Sequence, residues 1–528
     1  MISHSLAKVC DIMAVEKYLM GIDIGTGGGR CFIFDLNGKE VASAYREWAY
    51  LYPNIPYAVE FDPKEMWSTI KFCIVDALSK SKINPSKIMG ISSTSMREGI
   101  VLLDKEGKEI YAAPNMDWRG FKEAEEAEKT LGEMIYEVSG RWPAPLLAPY
   151  RMLWLKKHQV EKYNKVDAML MLSDWVLYKL ANVVSSEPSI ASSSGLLDIR
   201  RRKWSEEIIE WLKLPKDIFP RVYEGGEQVG ELTKEVAYET GLKVGTPVIA
   251  GGADTQCGLL GTASIEEGQT TIVAGTTTPV QMVVNSPLVS KKKKLWTGAH
   301  ATKGRWVLES NAILTGLAFR WYRDAVSSLE KSMAQILQVD PYEIINKEIE
   351  SVPPGSNGVF AVFSSVFDGA QTLKVRSRGS FFGLNGTRPE LTGRKEMARA
   401  MIENTCYAVL ANCLQLEECS DMKIKDVRIC GGAAKSKIWT KIQADIIGRP
   451  VYVPQVKEAT ALGVAMCAGV GAGIYKNISE AASSLVHWET VQEPDKSVHP
   501  VYQDLFWRWR RLHDIVFQLT VDGVLSNW

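Results

Sequence analysis

Near the start of the chain, apolar and β-branched residues fall into two short runs, Tyr18 to Asp23 (YLMGID) and Arg30 to Leu36 (RCFIFDL). Gly25-Thr26-Gly27-Gly28-Gly29 separates them, and Asn37-Gly38 closes the second. Runs of this kind around a glycine turn predict antiparallel strands of a hairpin or meander. The pattern then alternates. Pro63 to Lys80 and Phe121 to Leu131 read as helices, while Ile88 to Ser93 and Gly99 to Leu103 read as strands, the latter ending in Asp104. Such a mixture of periods predicts an α/β protein.

The same grammar returns about 250 residues later. Val248 to Gly252 is a strand running into Ala253-Asp254-Thr255-Gln256, and Thr270 to Ala274 with Val280 to Val284 form a second strand pair around Gly275-Thr276-Thr277. Two similar units predict two related domains that each contribute one polar turn to a shared cleft. With no Pro-rich or Ser-rich linker to mark it, the boundary is placed near residue 260, giving domains 1–260 and 261–528. Further on, the strand Asp426 to Cys430 enters Gly431-Gly432-Ala433-Ala434-Lys435-Ser436, and the helix Lys437 to Ile447 follows. Glycines at a strand-to-helix junction let a ligand approach the backbone and leave the helix amides free, a candidate nucleotide contact. The last part of the chain, with Trp507 and Trp509, fits an amphipathic closing helix.

Length changes the picture only by demanding more than one domain: 528 residues with 46% apolar and 23% charged content have ample core. The 62 basic and 62 acidic side chains cancel, which leaves no electrostatic footprint for nucleic acid or a membrane surface. The run Lys291 to Lys294 is short and reads as a solvated loop. Nine cysteines without a CxxC pair read as reduced core thiols. The first seventeen residues carry His4, Lys8, Asp11, Glu16 and Lys17 and lack the apolar stretch of a signal peptide, so the expectation is a cytoplasmic enzyme. The uncharged stretch Ala459 to Tyr475 is rich in Ala and Gly and reads as a buried helix of a soluble core rather than a bilayer span.

Position 30 holds Arg where a dinucleotide fingerprint needs its third glycine, and a strand follows where that motif needs a helix. No GxxxxGK[ST] occurs anywhere. The turn nevertheless has the parts for phosphate: amides of Gly27 and Gly28, the Thr26 hydroxyl, the Arg30 charge, and Asp23 to hold magnesium through water. Gly275-Thr276-Thr277 fits the other side of the same phosphates. Phosphoryl transfer also needs a carboxylate that orients and deprotonates the attacking hydroxyl. Asp254, at the end of VIAGGADTQ, is the candidate, with a helix N-cap as the alternative reading. Arg97-Glu98 after IMGISSTSM could grip hydroxyls of a polyol or form a surface ion pair, and Asn115 and Asp117 carry the same ambiguity.

Together these residues resemble the FGGY carbohydrate kinases over nearly the whole chain. Asp23-Ile24-Gly25-Thr26 with Arg30 looks like that family's first phosphate motif, Gly275-Thr276 like the second, and Gly431-Gly432-Ala433 with Trp439 and Ala444-Asp445 like its adenosine motif. The resemblance implies two RNase H-like domains of the actin, Hsp70 and sugar-kinase type flanking an ATP cleft. It implies Asp254 as catalytic base, with Arg97, Glu98, Asn115, Asp117 and Thr255 on the substrate. Nucleotide contacts are then expected from Thr26, Gly27, Gly28, Arg30, Thr276, Gly316, Arg320, Gly432, Ala433 and Ser436, with ATP and Mg2+ as the cofactors. Asn115 stands where an aromatic residue is usual, which argues against glycerol as substrate. SMREGIVL at 95–102, Ser173-Asp174-Trp175, GLLD at 195–198, PPGS at 353–356 and Val456 to Ile474 look closest to one branch of the family. Its members phosphorylate the C5 hydroxyl of the open-chain signal 4,5-dihydroxy-2,3-pentanedione. Thr276-Thr277-Thr278-Pro279 and the segment 364–382 depart from that branch. The alternatives are a kinase for another ketose or polyol and a catalytically silent sensor; the only partner expected is a small molecule, with homo-oligomerisation left open.

Overall fold

The computed structural model describes residues 16–369, 375 and 377–526. The expected absence of a leader, Cys10, and positions 370–374 and 376 of the divergent segment therefore lie outside the described residues.

Strands β1 (Tyr18–Ile24), β2 (Gly28–Asp35) and β3 (Glu40–Glu47) form the expected meander. With β4 (Ile88–Ser95), β5 (Gln228–Glu231) and β6 (Pro247–Ala253) they make a six-stranded sheet in the order β5-β6-β4-β1-β2-β3. Every residue of β1 is buried, because both faces of the sheet are covered. Its alternation sorts the two sides: Met20, Ile22 and Ile24 meet helix α1 (Pro63–Ser81), while Leu19 points to the opposite core. Helix α2 (Phe121–Ser139) runs past the predicted end at Leu131. Gly132 lies within it against the Trp142 ring, and the helix stops at Gly140, whose φ of 68° a side chain would strain. Helix α3 (Asp254–Gly261) follows β6 directly.

The second sheet takes β7 (Thr270–Ala274), β8 (Thr278–Val284), β9 (Trp296–Ala299), β10 (Trp306–Ala312), β11 (Val427–Gly431), β12 (Val451–Pro454) and β13 (Trp488–Gln492). Their order is β9-β10-β8-β7-β11-β12-β13. From β10 to β13 the strand directions repeat those from β3 to β5: antiparallel, antiparallel, parallel, parallel, antiparallel. The repeated grammar of the sequence is thus a repeated fold, two RNase H-like units with the Gly25 and Gly275 turns at equivalent hairpins. Helices α4 (Gly316–Ala325), α5 (Arg394–Ser420) and α6 (Lys437–Ile447) accompany this sheet.

Helix α7 (Ala459–Gly471) follows β12 in the chain but lies on the first sheet, against β1, β4 and β6. It also crosses α3 with backbones almost touching. A Cβ on Gly261 would stand 1.8 Å from the Ala459 carbonyl oxygen, and one on Gly463 would stand 1.9 Å from that of Cys257. This contact is why the stretch is built of Ala and Gly. The closing amphipathic helix is α8 (His499–Val521). Among the described residues no helix is long and apolar enough to cross a membrane.

Because the contact is backbone against backbone, Gly463→Ala is expected to cost about 1–3 kcal/mol, the range for overpacking a close contact. Thermal unfolding of the variant beside the parent measures it; an unchanged Tm would show that the crossing tolerates a methyl group.

Candidate active site

Asp254 opens α3, with Ala253 in the N-cap position. Its Oδ1 accepts the Thr255 N–H at 2.7 Å and caps no amide of the next turn, so the side chain is not spent as an N-cap. Half-buried, it is pushed up to about 6 by burial, which outweighs the pull of Arg97 and is reinforced by the negative charge of Asp23. Asp23, at the end of β1, is likewise raised to about 6 by burial against the pull of Arg30, with Glu458 adding to the rise. Two raised carboxylates, the charge of Asp23 adding to the rise of Asp254, therefore sit at the ends of β1 and β6.

Arg97 and Glu98 follow β4 and are both buried. Arg97 is not a surface ion pair: its guanidinium grips Glu309 of β10 through Nη1 and, at 2.9 Å, through Nη2. Burial opposes its charge, yet Glu309 and Glu98 hold it above the ordinary arginine value. Burial works against Glu309 too, but Arg97 and Arg141 keep its carboxyl below the usual range. Gln281 of β8 donates to Glu309 at 2.8 Å and to the Thr255 hydroxyl at 3.2 Å. Thr255 also donates to Gln256 at 2.8 Å, so its hydroxyl is occupied by the protein's own bonds.

Glu98 has φ +63°, a left-handed conformation rare outside glycine, and such strain needs support from its surroundings. The support is visible. Its N–H donates to Ser193 Oγ at 3.3 Å, and Arg151 donates both to its carbonyl and, at 2.9 Å, to that of Pro114. Arg151 thereby ties the Glu98 turn to the loop carrying Asn115, whose own carbonyl takes the Trp118 indole N–H at 3.0 Å. Asp117 differs from the expectation of a substrate contact. It is wholly buried and accepts from Tyr111 Oη, from Arg119 Nε at 2.9 Å and from the Val59 N–H at 3.4 Å, so its acceptor sites serve the fold.

The first turn is closed by the Gly25 N–H on the Gly28 carbonyl at 3.1 Å, and the second by the Gly275 N–H on the Thr277 carbonyl at 3.0 Å. Thr26, Gly27, Gly275 and Thr276 are exposed at the two tips. Gly28 is buried, and a Cβ there would meet the Arg46 carbonyl at 2.4 Å, so its missing side chain serves the approach of β3. Arg30 lies 3.8 Å from Asp23 and 3.3 Å from Glu458, and Lys435 reaches Glu458 from the other side at 3.3 Å. That chain of contacts leads into a cleft of about 770 Å³. Thr276, Gly316, Arg320, Gly432, Ala433 and Ser436, far apart in sequence, all line it. Gly316 is needed there: a Cβ would fall 2.2 Å from the Gly275 carbonyl oxygen. Phe319 and Tyr342, 5.3 Å apart and stacked, with Trp439 edge-on to Phe319, give the cleft an aromatic wall.

The sequence matches the FGGY family of carbohydrate kinases, N-terminal domain, over residues 18–261 and its C-terminal domain over 270–472. The chain belongs to the FGGY family of carbohydrate kinases. It is 35% identical over 531 residues to the autoinducer-2 kinase of Escherichia coli K12, with 99% of each chain covered. To that of Yersinia enterocolitica it is 36% identical over 517 residues, with 97% of each covered. Among solved structures, the xylulose kinase of Lactobacillus acidophilus superposes with a TM-score of 0.84 at 20% identity, covering 96% of this chain and 100% of that one. The glycerol kinase of Plasmodium falciparum with ADP gives 0.81 at 20% identity, covering 95% and 98%. These likenesses show the fold. As an FGGY kinase the protein uses ATP to phosphorylate a small carbohydrate-type molecule.

Sequence reading passed over Glu309, Gln281, Arg141 and Arg151, which carry no local motif. In this FGGY kinase Glu309 is the partner that makes a buried Arg97 tolerable. Glu309→Gln is expected to destabilise the protein by about 3–5 kcal/mol, the cost of breaking a buried ion pair from one side. The double change Arg97→Met with Glu309→Leu should recover much of that in urea unfolding. A single variant as stable as the parent would show that the pair is not what holds Arg97.

Proposed function

We propose that this kinase transfers the γ-phosphoryl group of ATP to the C5 hydroxyl of autoinducer-2 in its open form, 4,5-dihydroxy-2,3-pentanedione, in the cytoplasm. The observation that carries the substrate is the identity of 35% to autoinducer-2 kinases over 99% of both chains. The site's geometry supports the chemistry.

Asp254 accepts the proton of the attacking hydroxyl. A carboxylate near 6 is ionised at neutral pH yet more basic than an ordinary one, which suits a general base. Arg97 and Glu98 orient the acceptor, held in place by Glu309 and Arg151, and Asn115 borders the same loop. The amides and hydroxyls of Thr26, Gly27 and Thr276, with Arg30, take the β- and γ-phosphates. Gly316, Arg320, Gly432, Ala433 and Ser436 line the cleft for the rest of the nucleotide, and its aromatic wall suits a purine.

Among the described residues no group of three or more His, Cys, Asp or Glu side chains could hold a metal unaided. Magnesium commonly takes one or two carboxylates and completes its shell with phosphate oxygens and water. Asp23, raised by burial in spite of the nearby Arg30, fits that role, directly or through water. When bound, the ion neutralises charge on the transferring phosphates.

Asp254→Asn should lower turnover by about 10²–10⁴-fold, the usual size of a general-base contribution, while ATP binding persists. In the parent enzyme kcat/KM is expected to fall as pH drops through about 6, where Asp254 gains its proton, and to be flat above it. Substrate identity is tested by ADP release with the dione, xylulose, ribulose, erythritol and glycerol. A preference for any of the other four over the dione would overturn the substrate assignment and leave the kinase in place.

A further inference from the structure

We propose that Arg141 determines substrate class by donating to a carbonyl oxygen at the end of the acceptor remote from the phosphorylated hydroxyl. The proposal rests on the reading of Asp254 as the base and names what the far end of that site recognises.

Arg141 is planted with unusual firmness. It follows Gly140, whose Cα approaches β9 so closely that a Cβ would meet the Thr297 carbonyl at 2.4 Å, and Thr297 donates its N–H to the Gly140 carbonyl at 3.1 Å. The Arg141 N–H is taken by Ser139 Oγ at 3.1 Å, and its guanidinium carbon lies 4.3 Å from the centre of the Trp296 ring. Only 1% of the residue is exposed.

Firmly placed as it is, the guanidinium lacks partners. Nε and Nη1 are buried with no hydrogen-bond partner among the described residues. Its nearest carboxylate oxygen, Glu98 Oε1, stands 3.9 Å from Nη1, and that oxygen is itself buried and unpartnered. Gln281 Oε1 is a fourth such atom, on the side chain that bridges Glu309 and Thr255. Buried polar atoms are almost always satisfied, so unmet donors and acceptors gathered in one charge cluster mark a place where a ligand completes the set. The other buried arginines around the site differ in degree, although Arg119 Nη1 and Arg151 Nε are unpartnered as well. Arg97, Arg119 and Arg151 each make at least two hydrogen bonds through the guanidinium to carboxylates or carbonyls.

The chemistry selects the ligand group. A guanidinium offers donors and no acceptor, so it is matched by an oxygen that only accepts. A ketone or dione oxygen does so, whereas a polyol hydroxyl brings a proton that Arg141 cannot receive. Glu98, with an open acceptor, suits a hydroxyl beside that carbonyl. Position along the substrate is part of the proposal: Asp254 adjoins Thr255, which Gln281 links to Glu309, while Arg141 stands next to Glu98, off that chain of bonds.

The test compares acceptors that differ only in the carbonyl: the dione against its borohydride-reduced tetraol, and xylulose against xylitol. In the parent enzyme kcat/KM is expected to favour the carbonyl member by at least tenfold. In Arg141→Gln that ratio should collapse to within about threefold, with Arg141→Lys in between, because one rotatable ammonium replaces the planar donor set. Added guanidinium chloride at low millimolar concentration should restore part of the ratio in Arg141→Gln, which a merely structural arginine would not show. Should Arg141→Gln fail to fold by thermal melt, the Arg141→Lys ratio decides. Equal loss on both members of a pair, with the ratio kept, overturns the proposal. A parent enzyme inactive on the dione but selective for xylulose over xylitol would sink the autoinducer assignment and support Arg141.

Discussion

The structure depends on a buried ion pair that joins its two halves. Arg97 stands at the end of a strand in the first sheet and Glu309 within a strand of the second, 212 positions later. Neither charge could remain in that interior alone, so the pair admits one relative placement of the sheets and penalises any slip. Further bonds to backbone carbonyls join the halves: Tyr136 to that of Leu295 at 2.6 Å, Trp306 to that of Ile199 at 2.6 Å, and Arg202 to that of His300 at 3.0 Å. On the nucleotide side the halves meet through Arg30, Glu458 and Lys435, which are partly exposed. Exposed pairs of this kind are worth at most about 1 kcal/mol each and are screened by salt. The acceptor end of the site is consequently held fast while the phosphate end stays adaptable.

Charge distribution follows the same division of labour. Around Arg97 the carboxylates and arginines nearly cancel: burial raises Glu98 against the partial pull of Arg97 and Arg141, and the same two arginines hold Glu309 low. At the other end Asp23 and Asp254 are both raised, chiefly by burial, with Arg30 and Arg97 only partly opposing it.

Much of this was legible in the sequence because it is local. A glycine turn between β-branched runs, a strand breaking into Ala-Asp-Thr, and a Gly-Gly pair before a helix each declare themselves within a dozen residues, and all three fold as read. The two-sheet architecture was legible through their repetition. Glu309 was not, because ESNA inside an apolar strand looks like any polar interruption, and its meaning lies in Arg97. Arg141 looks from sequence like a charged residue after a helix; its burial against Trp296 depends on a contact between distant segments. Asp117 shows the converse. It follows an apolar piece as a site residue would, but Arg119, two positions on, turns back to claim it.

Helix α7 carries a consequence for how the protein is made. The first sheet needs that helix to cover Leu19, Phe34 and Ile249, yet it is encoded about 200 residues after the sheet's last strand. At roughly 5–20 residues per second a ribosome takes roughly ten to forty seconds to cross that interval. Throughout it the first half waits with one apolar face bare. The chain is thus two domains in architecture but a single unit in folding, since the half that holds Asp254 is finished only by a helix encoded after most of the other half.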